Sequence, residues 1–191
     1  GLAYDKLGST HHACEDIALM NTIPNLDVYT PFDPNNVKTC FKEAYLSSIN
    51  KNRSSYIRLS KGGEQNINKV FMLSKNIYLL GSKKISDKVV VSHGNIVKKF
   101  MDYLEGENHE ITNISITKLD ENTVKELASY LLNLKENTRI IFMEEHYKSG
   151  SLFEKISPFL LSMQRKLDLT NVCIDHQYSF EILPHDELLT S

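Results

Sequence analysis

Three runs of β-forming residues, VVVSHG (89–94), ITNISIT (111–117) and RIIFMEEH (139–146), are each followed by apolar residues at helical spacing, over 96–104, 122–134 and 152–165. Parallel strands need long crossovers, and helices are the usual ones, so this alternation predicts a mostly parallel sheet covered by helices on both faces. TNVCIDHQ (170–177) supplies a last strand, and NIYLLGS (76–82) reads as an edge strand. The expected fold class is therefore α/β: a three-layer α/β/α domain over 76–191 with a mostly parallel five-stranded sheet.

The residues before it form a smaller α/β segment. EDIALMNTI (15–23) has helical spacing with Glu15 and Asp16 in its first turn, where the helix dipole favours acids. LDVYT (26–30) alternates as a strand. Asp33 and Pro34 then offer an N-cap and a first-turn proline to a helix over 35–49, which should bury Val37, Phe41, Ala44, Tyr45 and Ile49. SSYIRLSKGG (54–63) reads as a strand entering a glycine-containing loop. The organisation expected is thus 1–64, a polar linker over 65–75, and 76–191.

With 22 Lys and Arg against 24 Asp and Glu, the chain has a slight acidic balance, whereas a dedicated nucleic-acid or anionic-membrane binder would be more basic. No run reaches the roughly 20 apolar residues of a membrane helix. The opening GLAYDKLGST lacks a secretory signal pattern, so a cytoplasmic location is expected. Cys14, Cys40 and Cys173 are odd in number and widely spaced, which suggests neither a disulfide framework nor a zinc site.

GSTHHACEDIALMNTIPNLDVYTPFD (8–33) sets two adjacent histidines on a loop directly before a helix. The string resembles the transketolase-like family of thiamine diphosphate enzymes, in which a G-P-T-H-[HQ] loop precedes a helix and then P-N-[LM]-x-V-x-x-P-x-D. Gly8, Thr10, His11, His12, Glu15, Pro24, Asn25, Val28, Pro31 and Asp33 stand in register with that pattern. YIRLSKG resembles the strand that ends the family's pyrimidine-binding domain. VVVSHGNIVKKFMDYL, ISITKLD and FMEEHYKSGSLFEKI resemble its C-terminal domain.

The resemblance implies the partial end of a pyrimidine-binding domain followed by a transketolase C-terminal domain. The complete enzyme would transfer a two-carbon ketol unit from a ketose to an aldose using thiamine diphosphate and Mg²⁺. The diphosphate and metal would be held by an N-terminal domain or subunit carrying a GDG motif. That motif does not occur here, and the chain opens without an initiator Met on a motif already under way. The chain alone is expected to bind no cofactor and to be inactive, and the complete enzyme to be a homodimer acting on sugars.

The resemblance places His11 in the catalytic and substrate-binding site, where imidazole hydrogen bonds and proton transfers near neutral pH serve a reacting ketose. It places His12 beside it and Lys61 on a sugar phosphate. At three positions the chain departs from the pattern: Leu7 replaces an aspartate, Ser9 a proline, and Lys61 an arginine, which loses a bidentate fork. Substrate preference would shift accordingly, toward an unphosphorylated or nucleotide-linked sugar. Arg58 reads as a packing or pairing residue, and the resemblance makes Glu144, Glu145 and His146 a structural or dimer-contact signature. His11, His12 and Glu15 lack metal-site spacing. Alternatives are 1-deoxyxylulose-5-phosphate synthase, a 2-oxoacid dehydrogenase β-type chain, or a non-catalytic dimerisation module.

Overall fold

The computed structural model describes residues 1–61, 64–105, 110–162, 167–178 and 183–188. After two short 3-10 turns, Asp5–Leu7 and Ser9–His11, come α1 (Asp16–Asn21), β1 (Leu26–Tyr29), α2 (Pro34–Lys51) and β2 (Ser54–Ile57). The Asp33 carboxylate accepts the Asn36 amide at 2.7 Å and Pro34 occupies the first turn, the helix start expected from the sequence. β1 and β2 pair in parallel as a two-stranded sheet.

The remainder builds the main sheet from β3 (Val70–Ser74), β4 (Ile77–Leu80), β5 (Lys88–His93), β6 (Thr112–Ile116), β7 (Arg139–Tyr147) and β8 (Asp168–Ile174). The strand order is β3-β4-β6-β5-β7-β8, with β6, β5, β7 and β8 parallel. The helices are α3 (Ile96–Tyr103), α4 (Glu121–Leu132), α5 (Leu152–Leu161) and α6 (His185–Leu188). Alternate strand residues separate the two faces. Val89, Val91, Ile114, Ile116 and Phe142 pack against α4 and α5, while Tyr78 and Leu80 pack with Val97 of α3 and with Phe32 and Ile67. The expected α/β architecture with a mostly parallel sheet is present.

Three details differ from the sequence reading. The sheet has six strands, because Val70–Ser74, expected within the 65–75 linker, pairs antiparallel with β4. That makes 77–80 an interior strand, with β3 on the edge. The residue before the strand is tied down too: the Ile67 amide donates to Asp33 at 2.9 Å.

The third difference lies in α2. Ala44 is buried as expected and Val37 is half-buried, but Phe41, Tyr45 and Ile49 face solvent, and the inner stripe is Asn36, Cys40, Ala44 and Ser47. Hydrogen bonding explains the inversion. Asn36 serves the Asp33 cap and the Phe32 amide, and the Ser47 hydroxyl donates to buried Asp27 at 2.7 Å, so polar residues hold the inner face. The helix expected over 152–165 is seen to Leu161, and 163–166 lie outside the described residues.

The two segments are sewn together. Thr30 donates its amide to the Thr117 carbonyl, and Gly94 donates to the Thr30 carbonyl. Asp27, buried in β1, accepts Arg53 at 2.8 Å and Lys118 at 3.3 Å. Burial alone would raise its pKa; the Arg53 and Ser47 hydrogen bonds and the Lys118 charge lower it instead. At Gly150, with φ +74°, an added Cβ would lie 2.4 Å from the Ala18 Cβ, so α1 seats against that turn only because the residue is glycine.

Candidate active-site wall and its supporting seam

Gly8 holds φ +75° and turns the chain into the Ser9–His11 3-10 turn, closed by the His11 amide donating to the Gly8 carbonyl at 3.0 Å. His11 is exposed. Its Nδ1 lies 3.0 Å from the Thr10 hydroxyl, which fixes one ring nitrogen and leaves Nε2 for an external partner. The Tyr4 ring sits 6.4 Å from the His11 ring, and Lys61 Nζ lies 5.4 Å from the Tyr4 centroid. Tyr4 thus links His11 with Lys61, a role no spacing rule in the sequence reveals.

His12 goes elsewhere. It lines a cavity of about 150 Å³ with Ser9, Cys14, Tyr147 and Cys173, and its Nε2 is buried without a partner among the described residues. Burial pushes the neighbouring Cys14 thiol up to about 11, so it is not a thiolate at neutral pH. Lys61 lies on the rim of a cleft of about 890 Å³ shared with Ser60, Asn95, Lys98, Asp102 and His185. The structure therefore brings His11 and Lys61 to Tyr4 but sends His12 into a separate, smaller cavity.

Neither cavity fits thiamine diphosphate. The His12 cavity is smaller than the roughly 300–1,000 Å³ of typical ligand sites. In the larger cleft, Lys61, Lys98 and Lys99 face Asp5, Glu64, Asp102 and Glu105, so the lining offers a diphosphate no net positive field. Among the described residues, no cluster of three His, Cys, Asp or Glu side chains is arranged to hold a metal ion.

Behind the loop lies a buried seam made by three consecutive residues of β7. Glu144 pairs with His93 at 3.0 Å and accepts the Leu152 and Phe153 amides at the start of α5. This is the point where the chain leaves β5 on one side and returns on the other, the usual ligand crevice of such sheets, and Glu144 fills it from within. Burial works to raise the Glu144 pKa, but His93 and the two amides hold it low.

Glu145 accepts the Leu2 amide at 2.7 Å and pairs with His185 at 2.9 Å. Burial opposes its ionisation, yet the His185 bond and the His185 and Arg58 charges take it down to about 2. His146 accepts the Ala18 amide at 3.3 Å, and burial lowers its pKa. Arg58 ties the layers: it pairs with Asp16 at 3.1 Å and donates to the Glu145 carbonyl at 3.0 Å. The signature thus anchors the loop-bearing segment to the sheet, and the partner that sequence reasoning missed is His93. The histidine ending VVVSH was the available signal.

Residues 1–64 match the family model for the transketolase pyrimidine binding domain. That match and the relatives below support a transketolase-like family of thiamine diphosphate enzymes. The chain is similar to one subunit of the apulose-4-phosphate transketolase of Phocaeicola vulgatus, 27% identical over 158 residues that cover 80% of this chain and 48% of that protein. It is also similar to the 1-deoxy-D-xylulose-5-phosphate synthase of Aliarcobacter butzleri, 29% identical over 149 residues covering 75% of this chain and 23% of that one. This transketolase-like chain spans about half or less of those relatives' lengths. Its fold is shared by a split-gene transketolase solved as an inactive beta4 tetramer, with a TM-score of 0.67, 23% identity, and coverage of 87% of this chain and 54% of the other. Among the described residues, no helix is long and apolar enough to cross a membrane.

Proposed function

We propose that this chain supplies one wall of the active site of a transketolase-like enzyme that transfers a two-carbon ketol unit from a ketose to an aldose. The observation that carries the reading is the Gly8–His12 turn, which presents His11 with Nδ1 occupied and Nε2 open, inside the segment that matches the pyrimidine binding domain. In this reading His11 Nε2 hydrogen-bonds the hydroxyls of the reacting sugar and moves a proton there. Lys61, oriented over Tyr4, meets the sugar's phosphate or its distal hydroxyls. His12 supports the loop from its own cavity.

Thiamine diphosphate and Mg²⁺ belong to this reading, held by a separate domain or subunit, since the cavities described above do not fit them. A relative that is one subunit of a transketolase and a split-gene structural neighbour support a division of the enzyme between polypeptides. The assembled enzyme is a homodimer of such pairs. The similarity to a 1-deoxy-D-xylulose-5-phosphate synthase supports that activity as the second reading.

The test combines this chain with the polypeptide carrying the diphosphate-binding segment, adds cofactor and Mg²⁺, and follows ketol transfer and 1-deoxyxylulose 5-phosphate formation in parallel. His11→Ala should lower kcat/KM roughly 10²-fold or more, the scale of proton-transfer and charge-stabilising contacts. His12→Gln should cost far less. Equal losses at both positions, or wild-type turnover for His11→Ala, would overturn the assignment.

A further inference from the structure

The short helix α6 stands between two cavities. His185 at its start lines the cleft of about 890 Å³ that Lys61 borders, and Leu188 at its end lines the cavity of about 150 Å³ that holds His12 and Cys14. It is fastened to the segment that carries His11 and to the strand behind it. The His185 amide donates to Asp5 at 3.0 Å, the His185 ring pairs with Glu145 at 2.9 Å, and Leu188, 5% exposed, packs with Leu2, Cys14 and Tyr147.

Those contacts converge on the base of the His11 loop. The backbone hydrogen bonds within residues 3–12 are local, from Leu7 to Tyr4, His11 to Gly8 and His12 to Ser9, so the loop takes its position from its two ends. At one end the Leu2 amide donates to Oε1 of Glu145, whose Oε2 meets His185. At the other the Cys14 carbonyl accepts the Tyr147 amide at 3.0 Å, and the Cys14 side chain packs with Leu188. α6 therefore bears on both ends and, through Asp5, on the turn between them.

A helix of four residues is ordered by what it touches, since an isolated one needs roughly 12–15 residues to be even marginal in water. The cluster that receives Leu188 is small and separate from the one that Val89, Val91, Ile114 and Phe142 form with α4 and α5. An element held by such a satellite cluster opens at a lower free energy than the sheet on which it rests.

We propose that α6 is a latch on the His11 wall: docked, it fixes both ends of the loop, and released, it opens the His12–Cys14 cavity and frees the loop while the sheet stays folded. The inference rests on the functional reading only in calling that loop a wall of the active site. Cys14, 1% exposed, makes release measurable, because the docked helix closes it to a maleimide.

The test reads three positions on this chain without a partner: N-ethylmaleimide labelling of Cys14 by peptide mass spectrometry, and amide exchange at Tyr147 and at Val91 in β5 by NMR. In the wild type, Cys14 and Tyr147 should report the same opening constant, at least 10-fold larger than that of Val91 and nearly unchanged by low urea. Leu188→Ala should raise it about 10-fold or more, and His185→Ala should act in the same direction. Ile114→Val, which trims the core that stays packed when α6 leaves, should speed exchange at Val91 several-fold and leave Cys14 and Tyr147 as they were.

Equal opening at Cys14 and Val91, or an Ile114→Val effect shared by all three positions, would mean that α6 leaves only with the whole fold and would overturn the proposal. So would Cys14 labelling that outruns Tyr147 exchange, because the cavity would then open without freeing the loop, or α6 variants that leave the Cys14 rate unchanged. Should Leu188→Ala not fold, the wild type, His185→Ala and Ile114→Val still decide. A failed ketol-transfer assay would remove the wall's role in catalysis and leave the latch standing, whereas failure of the latch leaves His11 its assigned role.

Discussion

At the scale of single residues, the seam behind the His11 loop makes stability depend on acid in a calculable direction. Glu145 titrates at about 2 in the folded chain against an ordinary 4.5, so its contribution is complete above 4.5 and is lost as the pH falls from there toward 2. Glu144 is depressed in the same sense by His93 and the α5 amides. Urea midpoints measured from pH 7 down to pH 3 should fall steeply for the wild-type chain. Glu145→Gln should start lower at pH 7 and fall less, since the neutral amide is a poorer partner for the His185 ring and has no carboxylate to protonate. Parallel curves for the two proteins would show that Glu145 does not govern the acid limb.

At the scale of elements, the fit of α1 against the turn after β7 is the most demanding contact. Gly150→Ala sets a methyl 2.4 Å from the Ala18 methyl and forces a residue with a side chain into φ +74°. It should destabilise the chain by about 2 kcal/mol or more, the sum of a steric clash and a left-handed backbone. Adding Ala18→Gly removes the 2.4 Å contact but leaves the Ala18 Cα at 3.1 Å and the backbone strain, so a double-mutant cycle by denaturant unfolding should recover part of the loss. Additive losses would mean that α1 does not seat there.

Elements also show where the sequence is readable. β5, β6 and β7 are legible because interior parallel strands need unbroken β-branched runs, and VVVSH and RIIFM are such runs. VFMLS is hidden because an edge strand flanked by Lys69 and Lys75 shares its composition with a linker. Periodicity misassigns the face of α2 because it finds the most apolar stripe, and here the buried stripe is the polar one, satisfied by Asp33 and Asp27. In the candidate site, His11 is legible from its motif. Tyr4 and His185 are not, because the Lys61 and Glu145 contacts that place them join residues forty or more apart in the chain.

At the scale of the whole molecule, the division into 1–64, a linker and 76–191 is a statement about where the chain opens, and the hydrogen bonds narrow it. Ile67 is pinned to Asp33 and β3 pairs with β4 apart from a register shift between Met72 and Ser74, so the most accessible lysine of the 61–75 stretch is Lys61. Limited digestion with a lysine-specific protease should therefore cut first after Lys61, ahead of Lys75 and of every site within β5–β8. The nicked chain should not come apart. Arg58 on the Glu145 carbonyl, Lys118 on Asp27 and the paired carbonyl and amide bonds of Thr30 all cross the cut. Size-exclusion chromatography in buffer should give one peak containing both fragments, and only denaturant should separate them. Arg58→Met, which removes a bridge to both Asp16 and Glu145, should let the fragments of the nicked protein dissociate at lower denaturant than wild type. Fragments that separate in buffer, or a first cut inside β5–β8, would mean that the two segments are independent bodies and that the wall carrying His11 is not held by the sheet behind it.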